Sequence, residues 1–135
     1  MVAILEEIRK IFSEQRVLPI GTADKDGVPN TIYIGSWWWV YYETILVVDN
    51  FFRKTRRNLE ENLRAALVAR SRKDGVSYQL KFGASSHTGG PQYENAFKRE
   101  RSRGDFHYPC RAIVLLKVNE VYNALYGDGA GEKML

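Results

Sequence analysis

The sequence predicts a mainly β domain of the α+β class, in which short antiparallel strands form a closed or half-open barrel with flanking helices. Apolar, β-favouring segments alternate with turn residues along most of the chain. Asp26-Gly27 and Asp74-Gly75 have the composition of tight hairpin turns. The aromatic content of 13% also favours a sheet.

The first elements are a helix and a hairpin. Apolar residues at i, i+4 and i+7 spacing predict an amphipathic helix at the start of the chain. These residues are Ile4, Leu5, Ile8, Ile11 and Phe12. Residues 17–23 and 28–36 favour two strands joined by the turn at residues 24–27.

An aromatic run and a buried strand follow. Residues 37–42 include three consecutive tryptophans and either continue the second strand or begin the next one. Because side chains alternate across a strand, Trp38 must point away from Trp37 and Trp39. Residues 44–48 are apolar enough for a short buried strand.

The second half begins with a short exposed helix over residues 53–62, which are strong helix formers. In a long strand over residues 76–86, Gly83 predicts a bulge or a close backbone approach. The remaining elements are a strand over residues 65–69, a helix over residues 92–101 and a strand over residues 112–118 that continues weakly to residue 122.

The length of 135 residues fits one domain, residues 1–135, whose Gly-rich tail at residues 127–135 we expect to be flexible. Cys110 is the only cysteine, so an internal disulfide is excluded. No segment has the roughly 20 apolar residues of a membrane span, and Glu6 and Glu7 interrupt any signal-like start. We therefore expect a cytoplasmic protein without membrane contact.

The cations are clustered. The net charge of +4 comes from 20 Lys and Arg against 16 Asp and Glu, and basic stretches lie at residues 53–57, 70–73 and 98–103. Such clusters favour anionic ligands, which include nucleic acid, membrane surfaces and phosphorylated cofactors.

The junction at residues 47–55 is the most informative segment. A buried strand leads to a turn, and the short helix begins with Arg53, Lys54 and Thr55. Backbone N–H groups, the helix dipole, cations and a hydroxyl could converge there on one dianion. This pattern predicts a phosphate site, and the alternative is a solvated helix face.

Other chemistries lack their sequence signatures. The chain has neither a GxGxxG nor a GxxxxGK motif, so Rossmann and P-loop nucleotide sites are not supported. His87, His107 and Cys110 lack the spacing of zinc ligands. Cys110 follows a proline at a strand entrance and is most simply a small buried residue. We therefore predict no metal site, and the catalytic residues are not identified.

Taken in order, the motifs resemble the FMN-binding split barrels related to pyridoxamine 5'-phosphate oxidase, and most closely their short single-domain members. The resemblance covers nearly the whole chain. Its segments are Gly21-Thr22-Ala23, Gly27-Val28-Pro29-Asn30-Thr31, Asp49-Asn50, Arg53-Lys54-Thr55, Asn58-Leu59, residues 62–67, Tyr78-Gln79-Leu80-Lys81 and residues 87–94. It implies a split antiparallel β-barrel that binds FMN non-covalently across a homodimer interface.

The resemblance also implies the cofactor contacts. The second strand would lie along the flavin and contact its ring and ribityl chain, largely through backbone atoms. The helix start would bind the phosphate, and one glutamine would reach the flavin from the neighbouring subunit. The residues are Asn30, Thr31, Ile32 and Tyr33 along the flavin, Asp49 and Asn50 near the ring or ribityl chain, Arg53, Lys54 and Thr55 at the phosphate, and Gln79 from the partner.

Two functions follow from this resemblance. One is an FMN-dependent oxidoreductase that exchanges electrons with a small-molecule or protein donor and acceptor. The other is a carrier or sensor without turnover. In either case a deazaflavin or haem could replace FMN, because related barrels use these ligands. Oxidation of pyridoxamine phosphate itself is not expected, because enzymes with that activity have a further C-terminal segment with basic and histidine residues.

The tryptophan run is compatible with three uses. Residues 37–39 could stack bases, line a flavin pocket, or pack in the core or a dimer contact. A single-stranded nucleic-acid binder would use these rings with the basic clusters, and its affinity would fall steeply with salt. We do not expect nucleic acid to be the partner.

Overall fold

The computed structural model describes residues 2–103 and 108–135. The predicted order of elements is confirmed. The helices are α1 (Val2–Ser13), α2 (Lys54–Asn62) and α3 (Pro91–Arg101), and the strands are β1 (Leu18–Ala23), β2 (Pro29–Ile34), β3 (Trp37–Tyr41), β4 (Thr44–Asp49), β5 (Arg64–Arg70), β6 (Ser77–His87) and β7 (Ala112–Asn123).

The strands form one antiparallel sheet in the order β2-β1-β5-β6-β7-β4-β3. The sheet curls into a half-barrel, so the fold is the predicted split antiparallel β-barrel with flanking helices. Although β2 and β3 follow one another in the chain, they lie at opposite ends of the strand order. The edge of β2 therefore has no strand partner within the described residues.

Two apolar clusters hold the fold together. The larger one lies inside the curled sheet, where α1 contributes Ile8 and Phe12 and the long strand β6 contributes Leu80 and Phe82. The smaller one packs α3, through Ala96, against the outer side of β4 and β7. Burial of such large side chains contributes roughly 1.5–3 kcal/mol each.

The tryptophan run confirms the predicted alternation. Trp37 and Trp39 pack against the inner cluster, whereas Trp38 packs against the cluster under α3. The run forms a strand of its own because the chain bends after β2, where the Val48 N–H donates to the Ser36 carbonyl at 2.9 Å. The three rings are half-buried and pack against the margins of the two apolar clusters.

The bulge lies beside Gly83 and not at it. Gly83 pairs with Arg64 on one side and Lys117 on the other, and the register shifts between Lys81 and Phe82. The extra residue is Asn119 of β7, and a Cβ on Gly83 would lie 3.4 Å from the Asn119 Nδ2. That distance is an ordinary van der Waals contact with a side chain, so the predicted close backbone approach is not seen at Gly83.

The tail folds back along the end of β7. Tyr122 forms an isolated bridge with Lys133, and the Met134 N–H donates to the Val121 carbonyl at 2.7 Å. Leu135 packs against the inner cluster. In this conformation the tail contacts β7 and the inner cluster. Its expected flexibility stays a prediction.

Two further observations concern the described residues. No helix among them is long and apolar enough to cross a membrane. No group of three or more His, Cys, Asp or Glu in residues 2–103 and 108–135 is arranged to hold a metal ion. His107, which lacks zinc-ligand spacing in the sequence, lies outside these residues.

Candidate functional site

The corner between β4 and α2 is built around a buried carboxylate. Asp49 is 1% exposed, and its Oδ1 accepts a hydrogen bond from the Phe52 N–H at 2.9 Å. Its Oδ2 lies 2.7 Å from both the Nε and an Nη of Arg56. The Asp49 side chain therefore fixes the start of α2, and both of its oxygens already have partners.

The first turn of α2 is open to an anion. Arg53 occupies the N-cap position, and no side chain caps the helix there. The first N–H groups of a helix have no intrahelical acceptor, so they attract an anionic group. Arg53 and Lys54 are both exposed at this end. The structure thus places two cations and uncapped N–H groups at one helix terminus.

Strand β2 meets α2 at the same turn. The Asn30 Nδ2 donates to the Thr55 Oγ1 at 3.1 Å, and Thr55 is 1% exposed. One turn further along the helix, the Asn58 Nδ2 donates to the Thr22 Oγ1 at 3.0 Å. These bonds hold the first hairpin against α2, so Asn30 and Thr55 lie beside Arg53 and Lys54.

The other residues of β2 present two faces. Ile32 packs against the inner cluster, whereas Thr31 and Tyr33 point outward and are exposed. The Ile32 side chain therefore faces the core, and only its backbone is accessible at the open edge of β2. A groove of about 520 Å³ borders Asn30 and Thr31.

Small residues form the floor of that groove. Thr31, Gly21, Ala66 and Lys81 lie in one row across β2, β1, β5 and β6. Since Gly21 and Ala66 have almost no side chain, a trough runs between Thr31 and Lys81. Arg64 and Glu120 also line it, so the groove combines a flat floor with charged walls of both signs.

Asn50 and Gln79 do not join this site within one chain. The Asn50 Nδ2 donates to the Glu100 Oε2 and to the Pro109 carbonyl, both at 2.9 Å, which directs the side chain toward α3. Gln79 lies on β6, separated from β2 by β1 and β5. Its side chain is on the outer face of the sheet, as the alternation of β6 predicts.

A buried carboxylate on α3 is not among the residues predicted from the sequence. Glu100 is 1% exposed, and its Oε2 accepts hydrogen bonds from the Ser36 Oγ at 3.0 Å and from Asn50. Arg103 lies 3.5 Å from the same oxygen. The signal was present, because Ala96 and Glu100 are four residues apart on the helix face that packs against the sheet.

Cys110 lies close to these two carboxylates. Burial raises the pKa of its thiol from 9.0 to about 11, and the charges of Glu100 and Asp49 add to this effect. The thiolate is the reactive form of cysteine, so the native thiol is inert near neutral pH. Cys110 is thus a packing residue, as expected.

We expect a maleimide at pH 8 to label native Cys110 about 100-fold more slowly than the unfolded chain, because the pKa is raised by about two units. The same shift means that the contribution of this thiol to stability is complete below pH 9.0 and is lost as the pH rises to about 11. Labelling rates followed by mass spectrometry between pH 7 and 10 test this. Equal rates in the native and denatured protein would contradict it.

A curated relative matches almost the whole chain. An uncharacterised protein of Methanocaldococcus jannaschii is 33% identical over 134 residues, which cover 98% of this chain and 88% of the relative. The comparison shows common ancestry and leaves the activity open, because that protein has no assigned function.

Several solved structures have the same fold. HupZ of Group A Streptococcus is 25% identical with a TM-score of 0.77, covering 93% of this chain and 98% of that one. An FMN-binding protein from Syntrophomonas wolfei has a TM-score of 0.78 at 16% identity, covering 93% and 88%. The heme storage protein HutZ of Vibrio cholerae has a TM-score of 0.63 at 15% identity, covering 87% and 92%.

A family comparison decides the assignment. The sequence profile described as pyridoxamine 5'-phosphate oxidase matches residues 4–123, which span the chain from α1 to the end of β7. The match agrees with the split barrel and with the order of motifs from the first hairpin to α3. This chain therefore belongs to the pyridoxamine 5'-phosphate oxidase family.

Proposed function

We propose that this chain is a redox flavoprotein that binds FMN non-covalently at a homodimer interface and acts in the cytoplasm. The observation that carries the proposal is the contact between Asn30 and Thr55. It brings the open edge of β2 to the uncapped, cationic start of α2, so one site offers contacts to a flat ring and to a phosphate. An FMN-binding protein of the same fold supports the choice of cofactor.

In this proposal the phosphate binds at the first turn of α2. Lys54 and Arg53 supply charge, and the uncapped N–H groups supply donors. The Thr55 hydroxyl and the Asn30 amide complete the polar surroundings. Each charge-assisted hydrogen bond contributes about 1.5–3 kcal/mol, so two or three of them would retain the cofactor.

The ring and ribityl chain would lie along β2. Its free edge offers backbone N–H and C=O groups from residues 30–33, and the small floor at Gly21 and Ala66 leaves room for a planar group. Bound FMN would supply hydride or single-electron transfer. Because both oxygens of Asp49 are already bonded, we assign that residue to holding the site in shape.

The homodimer completes the site in this proposal. Gln79 is too far along the sheet to reach β2 of its own chain, so it would contact the flavin of the partner. A groove of about 850 Å³ on the outer face of the sheet is lined by exposed Tyr41 and Leu63 together with Leu115. Exposed apolar surface of this kind is typical of subunit contacts.

The purified protein is expected to be yellow, to release FMN on denaturation and, as an apoprotein, to recover its absorbance bands on FMN titration. Light scattering of the same sample should give twice the chain mass of 15.6 kDa. A colourless refolded sample that ignores FMN would overturn the cofactor assignment. Parallel titrations of the apoprotein with a deazaflavin and with hemin show whether either ligand binds more tightly than FMN.

A carrier without turnover is the second candidate. Asp49 is the only carboxylate among the predicted site residues, and its two oxygens are already engaged by the Phe52 N–H and Arg56. Haem as the cargo is supported by the fold of the heme storage protein. Steady-state oxidation of NADPH by the FMN-loaded protein with a quinone acceptor distinguishes the candidates, since a carrier shows none.

A further inference from the structure

A cationic surface lies between α3 and the β4–α2 corner. It consists of four arginines around two aromatic rings, and we call it the basic surface. Its residues are Phe51, Arg99, Arg101, Arg103, Tyr108 and Arg111. All four arginines are exposed.

Tertiary contacts assemble this surface from distant segments. Phe51 packs edge-on against Tyr108 at 6.1 Å between ring centroids, and the Arg103 guanidinium lies 4.7 Å from the Tyr108 centroid. Arg111 donates to the Phe52 carbonyl at 3.1 Å. Beneath the surface, the hydrogen bond from Asn50 to the buried Glu100 joins the β4–α2 corner to α3. The β4–α2 corner and the end of α3, where Asn50 and Glu100 are 50 positions apart in sequence, thus become neighbours.

The charge of the basic surface is largely uncompensated. Among the described residues, Arg99, Arg101 and Arg111 have no carboxylate within 4.0 Å, and Arg103 has only the buried Glu100. The surface therefore attracts anionic partners and speeds their approach at low salt.

The shape of the surface favours a macromolecule. Small molecules bind in concave sites, but Phe51, Arg99, Arg101 and Arg103 line none of the main cavities among the described residues, and Arg111 borders only a small one of about 170 Å³. Guanidinium groups and aromatic rings together are typical of the energetically dominant residues in protein interfaces.

The rings argue for a protein rather than a nucleic acid. Arg99 covers the ring of Trp38 at 4.1 Å, Arg101 covers that of Phe97 at 5.4 Å, and Arg103 covers Tyr108. Phe51 is the ring of this surface that remains open, with 64% of the residue exposed. Single-stranded nucleic acid needs a series of open stacking platforms, whereas prearranged guanidinium groups suit surface carboxylates.

We propose that the basic surface docks an acidic one-electron carrier protein that donates electrons to the bound flavin. The inference rests on the proposed function, because Phe51 and the Phe52 carbonyl that accepts from Arg111 directly precede Arg53 at the start of the FMN site. Two reduced carriers would each lose one electron, and two protons from solvent would complete the reduction of FMN. Small, electrostatically steered interfaces are usual for such exchanges.

The test uses a plant-type ferredoxin, whose surface is acidic, as the probe. Titration calorimetry at low salt measures its binding to the apoprotein and to the FMN-loaded protein. Stopped-flow absorbance then measures reduction of the FMN-loaded protein by reduced ferredoxin. The double variant Arg99→Glu/Arg101→Glu is expected to slow reduction at least about ten-fold at low salt, and the difference should vanish at high salt.

The matched control is Arg72→Glu/Lys73→Glu, which makes the same charge change on an exposed hairpin. We expect it to slow reduction much less than the α3 variant does. Equal slowing by both variants, or no ferredoxin binding to either protein form, would overturn the docking site. Binding of an oligothymidylate in place of ferredoxin would assign the surface to nucleic acid. Ferredoxin binding is also measured on the apoprotein, so the docking site is tested even if the protein does not retain FMN. Failure to retain FMN would contradict the proposed function alone.

Discussion

Substitution Lys54→Ala should raise the dissociation constant for FMN by about 10- to 100-fold. The reason is that Lys54 is the first residue of α2, where an exposed cation and uncapped N–H groups converge. A charge-assisted contact to a dianion contributes about 1.5–3 kcal/mol. Quenching of flavin fluorescence during titration of the apoprotein measures the change.

Arg57→Ala is the control for this prediction. Arg57 belongs to the same helix and has the same charge, but it is paired with Glu61 at 3.2 Å. We expect it to leave FMN affinity within about two-fold, because exposed charges outside the site are screened. Riboflavin, which lacks the phosphate, should bind the Lys54→Ala variant and the parent chain equally. Unchanged FMN affinity in Lys54→Ala would remove this residue from the site.

Substitution Asp49→Ala should lower the free energy of unfolding by about 2–4 kcal/mol, because it leaves the half-buried Arg56 and the Phe52 N–H without their acceptor. Chemical denaturation followed by circular dichroism measures this loss. The control Glu60→Ala removes the same charge from an exposed position of α2 and should change the free energy of unfolding by less than about 0.5 kcal/mol.

A double variant separates the structural role of Asp49 from a flavin contact. If the residue acts by holding Arg56, then Asp49→Ala/Arg56→Met should be destabilised by less than the sum of the single changes. In both Asp49 variants, the loss of FMN affinity should be no larger than the loss of order at the start of α2 explains. Full stability with weakened FMN binding would instead show that Asp49 contacts the cofactor directly.

Local patterns in the sequence were sufficient for the elements. The spacing of Ile4, Ile8 and Phe12 predicted α1 and its buried face, since a helix repeats every 3.6 residues. Alternation predicted that Trp38 would oppose Trp37 and Trp39. The cationic helix start at Arg53 and Lys54 was also visible, because an apolar strand followed by helix formers marks such a junction.

The candidate site required pairings across the chain. Asn30 and Thr55 are 25 positions apart, and Asn50 and Glu100 are 50 apart, so no local pattern could show that they touch. The first pair supports the predicted phosphate site. The second directs Asn50 toward α3. The bulge at Asn119 escaped prediction for the same reason, since it depends on how β6 and β7 are aligned.

The sequence by itself determined which residues face inward, where the chain turns and where its cations cluster, because these properties depend on periods of two to four residues. Only the tertiary structure decided which segments share a surface. It placed β2 against the first turn of α2, and it joined the residues around Phe51 to the end of α3. Strand order and helix packing bring together residues that are remote in the chain, and buried groups such as Asp49 and Glu100 reveal their roles only through those distant partners.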